Sequence, residues 1–327
     1  MSAVLGFGNA LVDIIFKIDN DQILNEFGLP RGSMTLVDAA KAKNILDSTR
    51  KFECEIAAGG SASNTIHGLS NLGVHCGYIG KIGQDHYGKL FEKELISKHI
   101  TPTLLYGINP TGTAITLLSG DAERTFATYL GAAVEMEAGE LHPNQFNGYS
   151  YFHVEGYLVQ NHALILKAVQ LAKESGLMVS IDLASFTTVE ANRDFLKEII
   201  EKYVDIVFAN EEEAKSFTGQ APETAANILS EQCEIAIVKI GKLGSIVQTK
   251  AKRFAVPAIS AVPKDTTGAG DLYAAGFLYG LSKNYDFELC GKIGSLLGGK
   301  VIEVYGARIK EDNWPGIKQE VFRLTTA

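Results

Sequence analysis

The sequence has little of what a disulfide-stabilised, zinc-dependent or membrane protein requires. Its cysteines are Cys54, Cys76, Cys233 and Cys290, and their wide spacing predicts neither a disulfide framework nor a zinc site. The 7 histidines form no H-x-x-x-H or H-x-x-H pair, so zinc hydrolase chemistry is not expected. No apolar run is long enough to span a bilayer, and no charged-then-apolar leader opens the sequence. We therefore expect a cytoplasmic protein in a reducing compartment.

Basic clusters and two common nucleotide-binding motifs are also absent. The formal net charge is −8 at pH 7 and no Lys/Arg-rich run occurs, so neither nucleic acid nor a membrane is an expected partner. There is no G-x-x-x-x-G-K-[ST], which argues against a P-loop kinase, and the glycines of residues 77–88 do not have dinucleotide-binding spacing. An acidic protein that binds phosphates must therefore concentrate positive potential locally, from amides, a metal and a few basic side chains.

The composition is that of a globular protein able to bury a large core. Of 327 residues, 46% are hydrophobic and 21% are charged, which allows two average domains or one large α/β domain with an appendage. No internal repeat, low-complexity tract or flexible linker divides the chain. We therefore expect its parts to move as hinged pieces of one unit.

Short apolar segments rich in β-branched residues alternate with longer amphipathic ones. The short segments predict buried strands at residues 4–7, 76–79, 151–154, 178–181, 206–208 and 235–240. The longer ones predict helices at residues 62–72, 86–98, 162–175, 194–203 and 211–218. This alternation predicts an α/β fold with a mostly parallel central sheet covered by helices on both faces, and ligands at the carboxyl ends of the strands.

Two stretches interrupt the alternation. Residues 14–37 and 111–129 contain alternating, β-branched segments that do not resemble crossover helices. We interpret them as a small separate β-sheet, inserted as a lid into an α/β body formed by residues 1–13, 38–110 and 130–327. A pair of surface hairpins without a lid role is the alternative from the pattern alone.

The most informative motif is Asp-Thr-Thr-Gly-Ala-Gly-Asp at residues 265–271, which leads into an apolar helical stretch. The first amides of a helix have no internal partner, and the helix dipole makes this end positive. Gly268, Ala269 and Gly270 can therefore receive a phosphate closely, and Asp271 places a carboxylate beside it. A proton acceptor next to an anion cradle is the minimum requirement for phosphoryl transfer to a hydroxyl. Alone, the motif is more typical of a glycine turn whose aspartate caps a core helix.

This motif resembles the C-terminal signature of the ribokinase-like (PfkB) family of sugar and nucleoside kinases. Further similarity follows in the family's order from Gly8 to Gly306, so the resemblance covers nearly the whole chain. It implies a ribokinase-like three-layer sandwich with a small β-sheet lid, which in some members is also the dimer interface. It also implies ATP as phosphoryl donor, Mg²⁺ as cofactor, and either a monomer or a lid-mediated homodimer.

On the acceptor side, two polar motifs resemble those that hold sugar hydroxyls in this family. The first supplies Asn9 and Asp13, and the second supplies Gly59, Gly60 and Asn64. By themselves these motifs are more typical of a turn and a helix cap. Carboxylate and amide side chains are nevertheless well suited to reading vicinal hydroxyls, because they accept and donate in fixed geometry.

The identity of the acceptor stays open between a sugar and adenosine. Residues 8–14 and 204–214 look closer to adenosine kinase, and Tyr157 and Met34 could form an apolar wall for a base. Glu155, in contrast, resembles the acid that binds a free sugar hydroxyl in ribokinases, and a carboxylate fits poorly against adenine unless it is paired. Glu155 makes a sugar the slightly favoured acceptor.

On the donor side, Asn210 and Glu213 match the N-x-x-E motif that the family uses to organise Mg²⁺ and phosphate. The resemblance places Glu213 near Mg²⁺ through bound water, although acids at a helix start are usually solvated. Gly241 and Gly244 resemble the family's ATP-contacting G-x-x-G, which a hairpin turn explains equally well.

Two further residues take their expected roles only from the resemblance. Arg124, in the predicted lid, matches an arginine that reaches the transferred phosphate, where a solvated salt bridge would be the default. Asp265, together with residues 306–307, matches positions that hold a monovalent cation, so activation by K⁺ is an expectation.

Together these motifs predict direct in-line transfer from ATP, with Asp271 accepting the proton of a primary hydroxyl. Within this prediction of a kinase, adenosine kinase is the more specific alternative. A non-catalytic sugar- or nucleotide-binding regulator on the same fold is the alternative from another class.

Overall fold

The computed structural model describes residues 2–120 and 123–326, which form two β-sheets. The strands in chain order are β1 (Val4–Phe7), β2 (Leu11–Lys17), β3 (Met34–Leu36), β4 (Cys54–Gly59), β5 (Cys76–Ile82), β6 (Ile100–Tyr106), β7 (Thr111–Leu118), β8 (Arg124–Gly131), β9 (Tyr151–Glu155), β10 (Met178–Asp182), β11 (Ile206–Asn210), β12 (Ile235–Lys239), β13 (Ser245–Gln248) and β14 (Arg253–Val256). The larger sheet has nine strands in the order β14-β13-β12-β11-β10-β9-β1-β5-β6. Its pairs are parallel from β6 to β12, and β13 and β14 add an antiparallel edge.

The helices cover both faces of this sheet, and one of them packs against the second sheet. In chain order they are α1 (Gln22–Glu26), α2 (Ala39–Thr49), α3 (Ser61–Asn71), α4 (His86–Ser97), α5 (His162–Glu174), α6 (Phe186–Ala191), α7 (Arg193–Tyr203), α8 (Glu211–Thr218), α9 (Pro222–Gln232), α10 (Ala269–Ser282), α11 (Phe287–Val301) and α12 (Trp314–Thr326). Buried residues of α3, α4, α10, α11 and α12 belong to one core cluster, and those of α5, α7, α8 and α9 belong to another. Two cores on opposite faces of a mostly parallel sheet confirm the predicted α/β sandwich.

The second sheet has five strands in the order β3-β8-β7-β2-β4. Strand β2 alternates from Val12 onward, with Val12, Ile14 and Phe16 buried in the same cluster as Ile45 of α2, whereas Asp13 lines a cavity. This sheet is larger than the predicted lid segments, because it begins at Leu11 and includes β4, which the sequence analysis assigned to the body. Strand β4 was missed because its first half is exposed and carries no buried apolar run.

The predicted strands and helices are present with slightly different ends, but some elements were not predicted. Strand β6 is one of them: it forms an edge of the large sheet, is mostly half-buried and contains Pro102. A proline is tolerated there because an edge strand need not use every amide in the ladder. None of the described helices is long and apolar enough to cross a membrane.

Candidate active site

A cavity of about 1430 Å³ lies between the large sheet and the lid sheet. It collects side chains from the carboxyl ends of β9, β10, β11 and β12, where an α/β sheet binds its ligands. Most predicted site residues line this one cavity: Asn9, Asp13, Gly60, Asn64, Glu155, Asn210, Glu213, Gly241, Gly244, Gly268, Ala269, Gly270 and Asp271. The remaining predicted residues do not line the cavity but contact residues that do: Gly59 lies against Asp13, and Arg124 and Asp265 both bind Thr267.

The start of α10 forms an anion-binding cradle. Gly268 adopts a left-handed conformation with φ 77° and accepts the first helical hydrogen bond from Leu272. Among the described residues, no group accepts a hydrogen bond from the amides of Gly268, Gly270 or Asp271. The amide of Ala269 differs from the prediction, because it donates to the carbonyl of Thr266 at 3.2 Å and closes the turn. The cradle therefore has three open amides, and Asp271 supplies one of them in place of Ala269.

Asp271 is held between two helices. Its Oδ1 accepts a hydrogen bond from Ser61 Oγ at 2.7 Å, and its Oδ2 accepts one from Asn64 Nδ2 at 3.0 Å. Thr65 Oγ1 also donates to its backbone carbonyl at 3.1 Å. Burial raises the pKa of Asp271 to about 6, although the Asn64 and Ser61 hydrogen bonds work in the opposite direction. The carboxylate is thus oriented, ionised at neutral pH, and a stronger proton acceptor than an ordinary aspartate.

The acceptor end of the cavity is built on close approaches of backbone to side chain. A Cβ on Gly59 would lie 2.2 Å from Asp13 Oδ1, and one on Gly60, where φ is 91°, would lie 2.2 Å from the carbonyl oxygen of Asn9. Burial raises the pKa of Asp13 to about 6, and Arg308 opposes this shift. Asn9 Oδ1 is buried without a hydrogen-bond partner among the described residues, so its acceptor capacity is unused within the protein.

Glu155 is already bonded within the protein. Its Oε1 accepts from Asn9 Nδ2 at 2.7 Å, and its Oε2 accepts from the amide of Ala62 at 3.2 Å. The side chain is almost fully buried, and burial raises its pKa to about 7. Glu155 therefore orients Asn9 and the start of α3, and its carboxylate is paired in the way that the sequence analysis required for a neighbouring base.

The predicted metal-side residues form the cap of α8. Asn210 Oδ1 accepts from the amide of Glu213, while the Asn210 amide and Nδ2 donate to Glu213 Oε2 and Oε1 at 2.8 and 2.6 Å. This reciprocal arrangement is a capping box. Burial raises the pKa of Glu213 to about 7, and Asp182 adds to the shift.

Gly241 and Gly244 shape the connection between β12 and β13. Both have positive φ, at 56° and 101°, and a Cβ on Gly244 would lie 2.0 Å from the carbonyl oxygen of Val256. The hairpin itself therefore requires these glycines, and they also line the cavity.

Arg124 connects the lid to the cradle. Its Nη2 pairs with Asp265 Oδ2 at 2.7 Å, and its Nη1 donates to Thr267 Oγ1 at 3.2 Å. The Nη2 contact is an ion pair without hydrogen-bond alignment, and neither Nε nor Nη2 has a hydrogen-bond partner among the described residues. The guanidinium thus keeps donor capacity in a buried position next to the cradle.

Two charged residues of the cavity were not singled out from the sequence. Lys239 Nζ lies 2.8 Å from Asp182 Oδ2, and a Cβ on Gly270 would lie 2.9 Å from the same nitrogen. Burial lowers the pKa of Lys239, but Asp182, Glu213 and Asp271 outweigh it, so the net shift is upward. The available signal was positional, because Asp182 and Lys239 end two parallel strands, β10 and β12, that flank β11 in the sheet. Lys239 is therefore a protonated amine beside the cradle.

Comparisons with known proteins agree with this geometry. The model of the pfkB family carbohydrate kinases matches residues 33–314. A nucleoside kinase of Methanocaldococcus jannaschii is 28% identical over 329 residues, which cover 98% of this chain and 97% of that protein. The crystal structure of adenosine kinase from Sinorhizobium meliloti superposes with a TM-score of 0.87 at 33% identity and covers 98% of this chain and 99% of the other. A probable sugar kinase from Rhizobium etli gives the same TM-score and identity, with 98% of each chain covered.

Proposed function

The chain belongs to the pfkB family of carbohydrate kinases, and from this premise we propose that it phosphorylates a primary hydroxyl of a nucleoside. Membership establishes the coarser activity, which is transfer of a phosphoryl group from ATP to an alcohol group of a sugar or nucleoside. It also agrees with the ribokinase-like fold and with the second sheet as a lid. The finer choice between nucleoside and free sugar is the proposal.

The observation that carries the proposal is an apolar wall on the lid. Met34 and Leu36 of β3 line the cavity although they are 54% and 58% exposed. Phe126, Leu130 and Val134 continue the same lining. Large apolar side chains facing a ligand cavity are stabilised by a flat apolar ligand surface, which a nucleobase has and a free sugar lacks.

The pairing of Glu155 removes the argument against a base. Asn9 and Ala62 occupy both carboxylate oxygens, so no unpaired charge needs to be buried against an aromatic ring. Asn9 Oδ1 and Asp13 then remain to bind ribose hydroxyls. Glu155 favours a sugar only if its carboxylate is free to bind a hydroxyl, and its pairing with Asn9 and Ala62 supports the adenosine-kinase-like alternative instead. The M. jannaschii and S. meliloti relatives support the same choice.

In the proposed mechanism, the phosphates of ATP lie against the open amides of Gly268, Gly270 and Asp271. The hydroxyl oxygen of the acceptor attacks the γ-phosphorus while Asp271 accepts the hydroxyl proton, and ADP leaves on the opposite side. Lys239 and Arg124 stabilise the charge that develops on the transferred group. Positioning and charge account for the rate, because phosphoryl transfer needs little covalent help from the protein.

Mg²⁺ is part of the proposal, and the donor chemistry of the cavity fits it. Asp182, Glu213 and Asp271 place three carboxyl groups around Lys239, which is an oxygen-rich, negatively charged setting of the kind Mg²⁺ prefers. Both Glu213 oxygens accept hydrogen bonds from Asn210, so Glu213 would contact the ion through water. When bound, Mg²⁺ neutralises phosphate charge. No group of three or more His, Cys, Asp or Glu in the described chain forms a ready-made cage for a metal ion.

The fit for K⁺ is poorer. Asp265 Oδ1 accepts from the amide and hydroxyl of Thr267, and Oδ2 accepts from the amide of Gly306 while it pairs with Arg124. A carboxylate surrounded by hydrogen-bond donors and a guanidinium has little capacity left for a second cation. Activation by K⁺ stays a prediction from the resemblance, and we assign it no role in the mechanism.

The association state also stays a prediction, either a monomer or a lid-mediated homodimer. Strand β4 forms an edge of the lid sheet, and its first residues, Cys54, Glu55 and Ile56, are exposed. An exposed strand edge is the part of a sheet best able to pair with a second copy. Light scattering would decide between one and two copies.

A competition between acceptors tests the proposed function. The protein is incubated with ATP·Mg²⁺ and either adenosine, inosine, cytidine, ribose or fructose, and both ADP and the phosphorylated acceptor are measured. We expect kcat/KM for the best nucleoside to exceed that for ribose by at least about 10²-fold. Phe126→Ala should reduce the nucleoside rate and leave the ribose rate unchanged. Preference for a free sugar would contradict the proposal, and ATP binding without transfer to any acceptor would favour the regulator.

A further inference from the structure

Arg308 was not among the residues predicted from the sequence. Its side chain is only 13% exposed and contacts α3, the helix whose Ser61 and Asn64 bind Asp271. Its Nε donates to Asn64 Oδ1 at 3.2 Å, and its Nη2 donates to Ser63 Oγ at 3.0 Å. Its Nη1 pairs with Glu94 Oε1, while Glu94 Oε2 accepts from the amide of Ala58 at 2.6 Å. The guanidinium therefore bridges α3 and α4 from the segment that follows α11.

These contacts continue to Asp271. Asn64 uses its Oδ1 towards Arg308 and its Nδ2 towards Asp271, so one amide group joins the guanidinium to the carboxylate. A guanidinium can only donate hydrogen bonds, and an ionised carboxylate can only accept them. An Asn amide placed between the two can satisfy both in one orientation only, because the flipped amide would direct its oxygen at the carboxylate.

From this geometry we infer that Arg308 is a positioning residue, which fixes the Asn64 amide and, through it, the proton-accepting carboxylate of Asp271. The inference rests on the proposed role of Asp271 in phosphoryl transfer and holds for a nucleoside or a sugar acceptor alike. The two residues before Arg308 are themselves held next to the cradle. A Cβ on Gly268 would lie 2.7 Å from the Cα of Ala307, and the backbone amide of Gly306 donates to Asp265 Oδ2.

Loss of this contact has a defined effect on the base. The hydrogen bond from Asn64 favours the ionised form of Asp271, so a misoriented amide should raise the pKa of Asp271 above its present value. Other charged groups also face Asp271, namely Asp13, Glu155, Asp182 and Lys239. Because Arg308 lowers the pKa of Asp13, a test variant must keep the positive charge.

Arg308→Lys is the suitable variant, because lysine keeps the charge but lacks the planar fork that reaches Asn64, Ser63 and Glu94 together. We expect kcat to fall about 10- to 100-fold, with KM for ATP almost unchanged, because the base is misplaced while the donor site is intact. The acid limb of the kcat–pH profile should move to higher pH. Arg193→Lys is the matched control, since Arg193 donates to the Phe217 carbonyl away from the cavity, and it should leave all three quantities unchanged.

A double-mutant cycle separates positioning from general structural support. In the Asn64→Ala background, Arg308→Lys should change kcat by less than about 2-fold, because the connecting amide is already gone. An equal loss in both backgrounds would overturn the inference. If Arg308→Lys folds poorly, Glu94→Gln replaces it in the same cycle, because it removes the ion-pair partner that orients Arg308 and keeps the guanidinium charge.

Failure of the proposed function is recognised separately, from the wild-type protein and the Arg193→Lys control. If neither protein transfers phosphate to any acceptor, the pKa of Asp271 is measured instead, from the pH dependence of its carboxyl ¹³C resonance. That resonance is assigned by its absence in Asp271→Asn. In the ligand-free protein, Arg308→Lys and Asn64→Ala should both raise the pKa of Asp271. An unchanged pKa in Arg308→Lys would overturn the inference without reference to turnover.

Discussion

Nη2 of Arg124, on the lid sheet, lies 2.7 Å from Oδ2 of Asp265, at the turn that leads into the phosphate cradle. Their side chains are only 9% and 3% exposed, and residues 124 and 265 are far apart in the sequence. The pair therefore anchors the lid beside the cradle. Nε and Nη2 have no hydrogen-bond partner among the described residues, and the proposed contact with a phosphoryl group would use this donor capacity.

The first prediction concerns this arginine. Arg124→Met should lower kcat by about 10²- to 10³-fold, because a donor aimed at developing charge is lost. Arg124→Lys should recover only part of the rate, since an ammonium cannot contact Asp265, Thr267 and a phosphate at once. Steady-state kinetics with saturating ATP and acceptor measure the effect. A kcat within a few-fold of wild type for Arg124→Met would remove Arg124 from the transfer step.

Lys239 provides a second prediction with a matched control. Lys239→Met should reduce kcat by about 10- to 100-fold and raise KM for ATP, because the amine nearest the cradle is removed. Lys173 makes a similar pair with Asp205, at 2.8 Å, but away from the main cavity. Lys173→Met should therefore keep wild-type kinetics. Equal losses in both variants would indicate a general effect of breaking a Lys–Asp pair.

The fold and the chemistry of α10 could be predicted from local sequence, but the pairing between distant residues could not. Buried strands such as β11 and the helix that starts after Gly268 are encoded by apolar runs and small residues within a few positions. The partners of Glu155 and Arg308 come from segments up to 245 residues away, so no local pattern reveals them. Strand β4 was not predicted for a related reason. It is a partly exposed edge strand, and only its pairing with β2 identifies it as a strand.

A third prediction concerns Gly268 and Gly270, the two glycines of the cradle, which should respond differently to an added methyl group. Gly268→Ala should destabilise the protein by about 2 to 4 kcal/mol, because it combines a left-handed backbone with a backbone clash against Ala307. Gly148→Ala is the control for the backbone term, since Gly148 has φ 86° with nothing near its Cβ position, and it should cost only about 1 kcal/mol. Urea unfolding measures both.

Gly270→Ala should behave differently. Its Cβ would approach only the flexible end of Lys239, at 2.9 Å, so we expect the free energy of unfolding to change by less than about 1 kcal/mol. Displacing that amine and narrowing the cradle should nevertheless reduce kcat by at least about 10-fold. A variant that loses stability but keeps its turnover would contradict this assignment.

A fourth prediction concerns the pH dependence of stability. Burial raises the pKa of Glu155 from 4.5 to about 7, so the folded state binds this proton more tightly than the unfolded state does. The resulting stability is fully present below the unfolded pKa and is lost as pH rises through about 7. Glu155→Gln should therefore weaken the decrease in the free energy of unfolding between about pH 5 and pH 8. Glu53→Gln, at an exposed carboxylate, is the control and should leave the decrease unchanged.

The central claim is that Asp271, held by Ser61 and Asn64 beside the open amides of the cradle, accepts the proton of the acceptor hydroxyl. Single-turnover transfer from ATP to the best acceptor, compared between wild type and Asp271→Asn, measures this directly. We expect the rate of transfer to fall by at least about 10³-fold in Asp271→Asn, with the affinity for ATP within a few-fold of wild type. A transfer rate within about 5-fold of wild type would contradict it, because proton transfer to Asp271 would then not be needed.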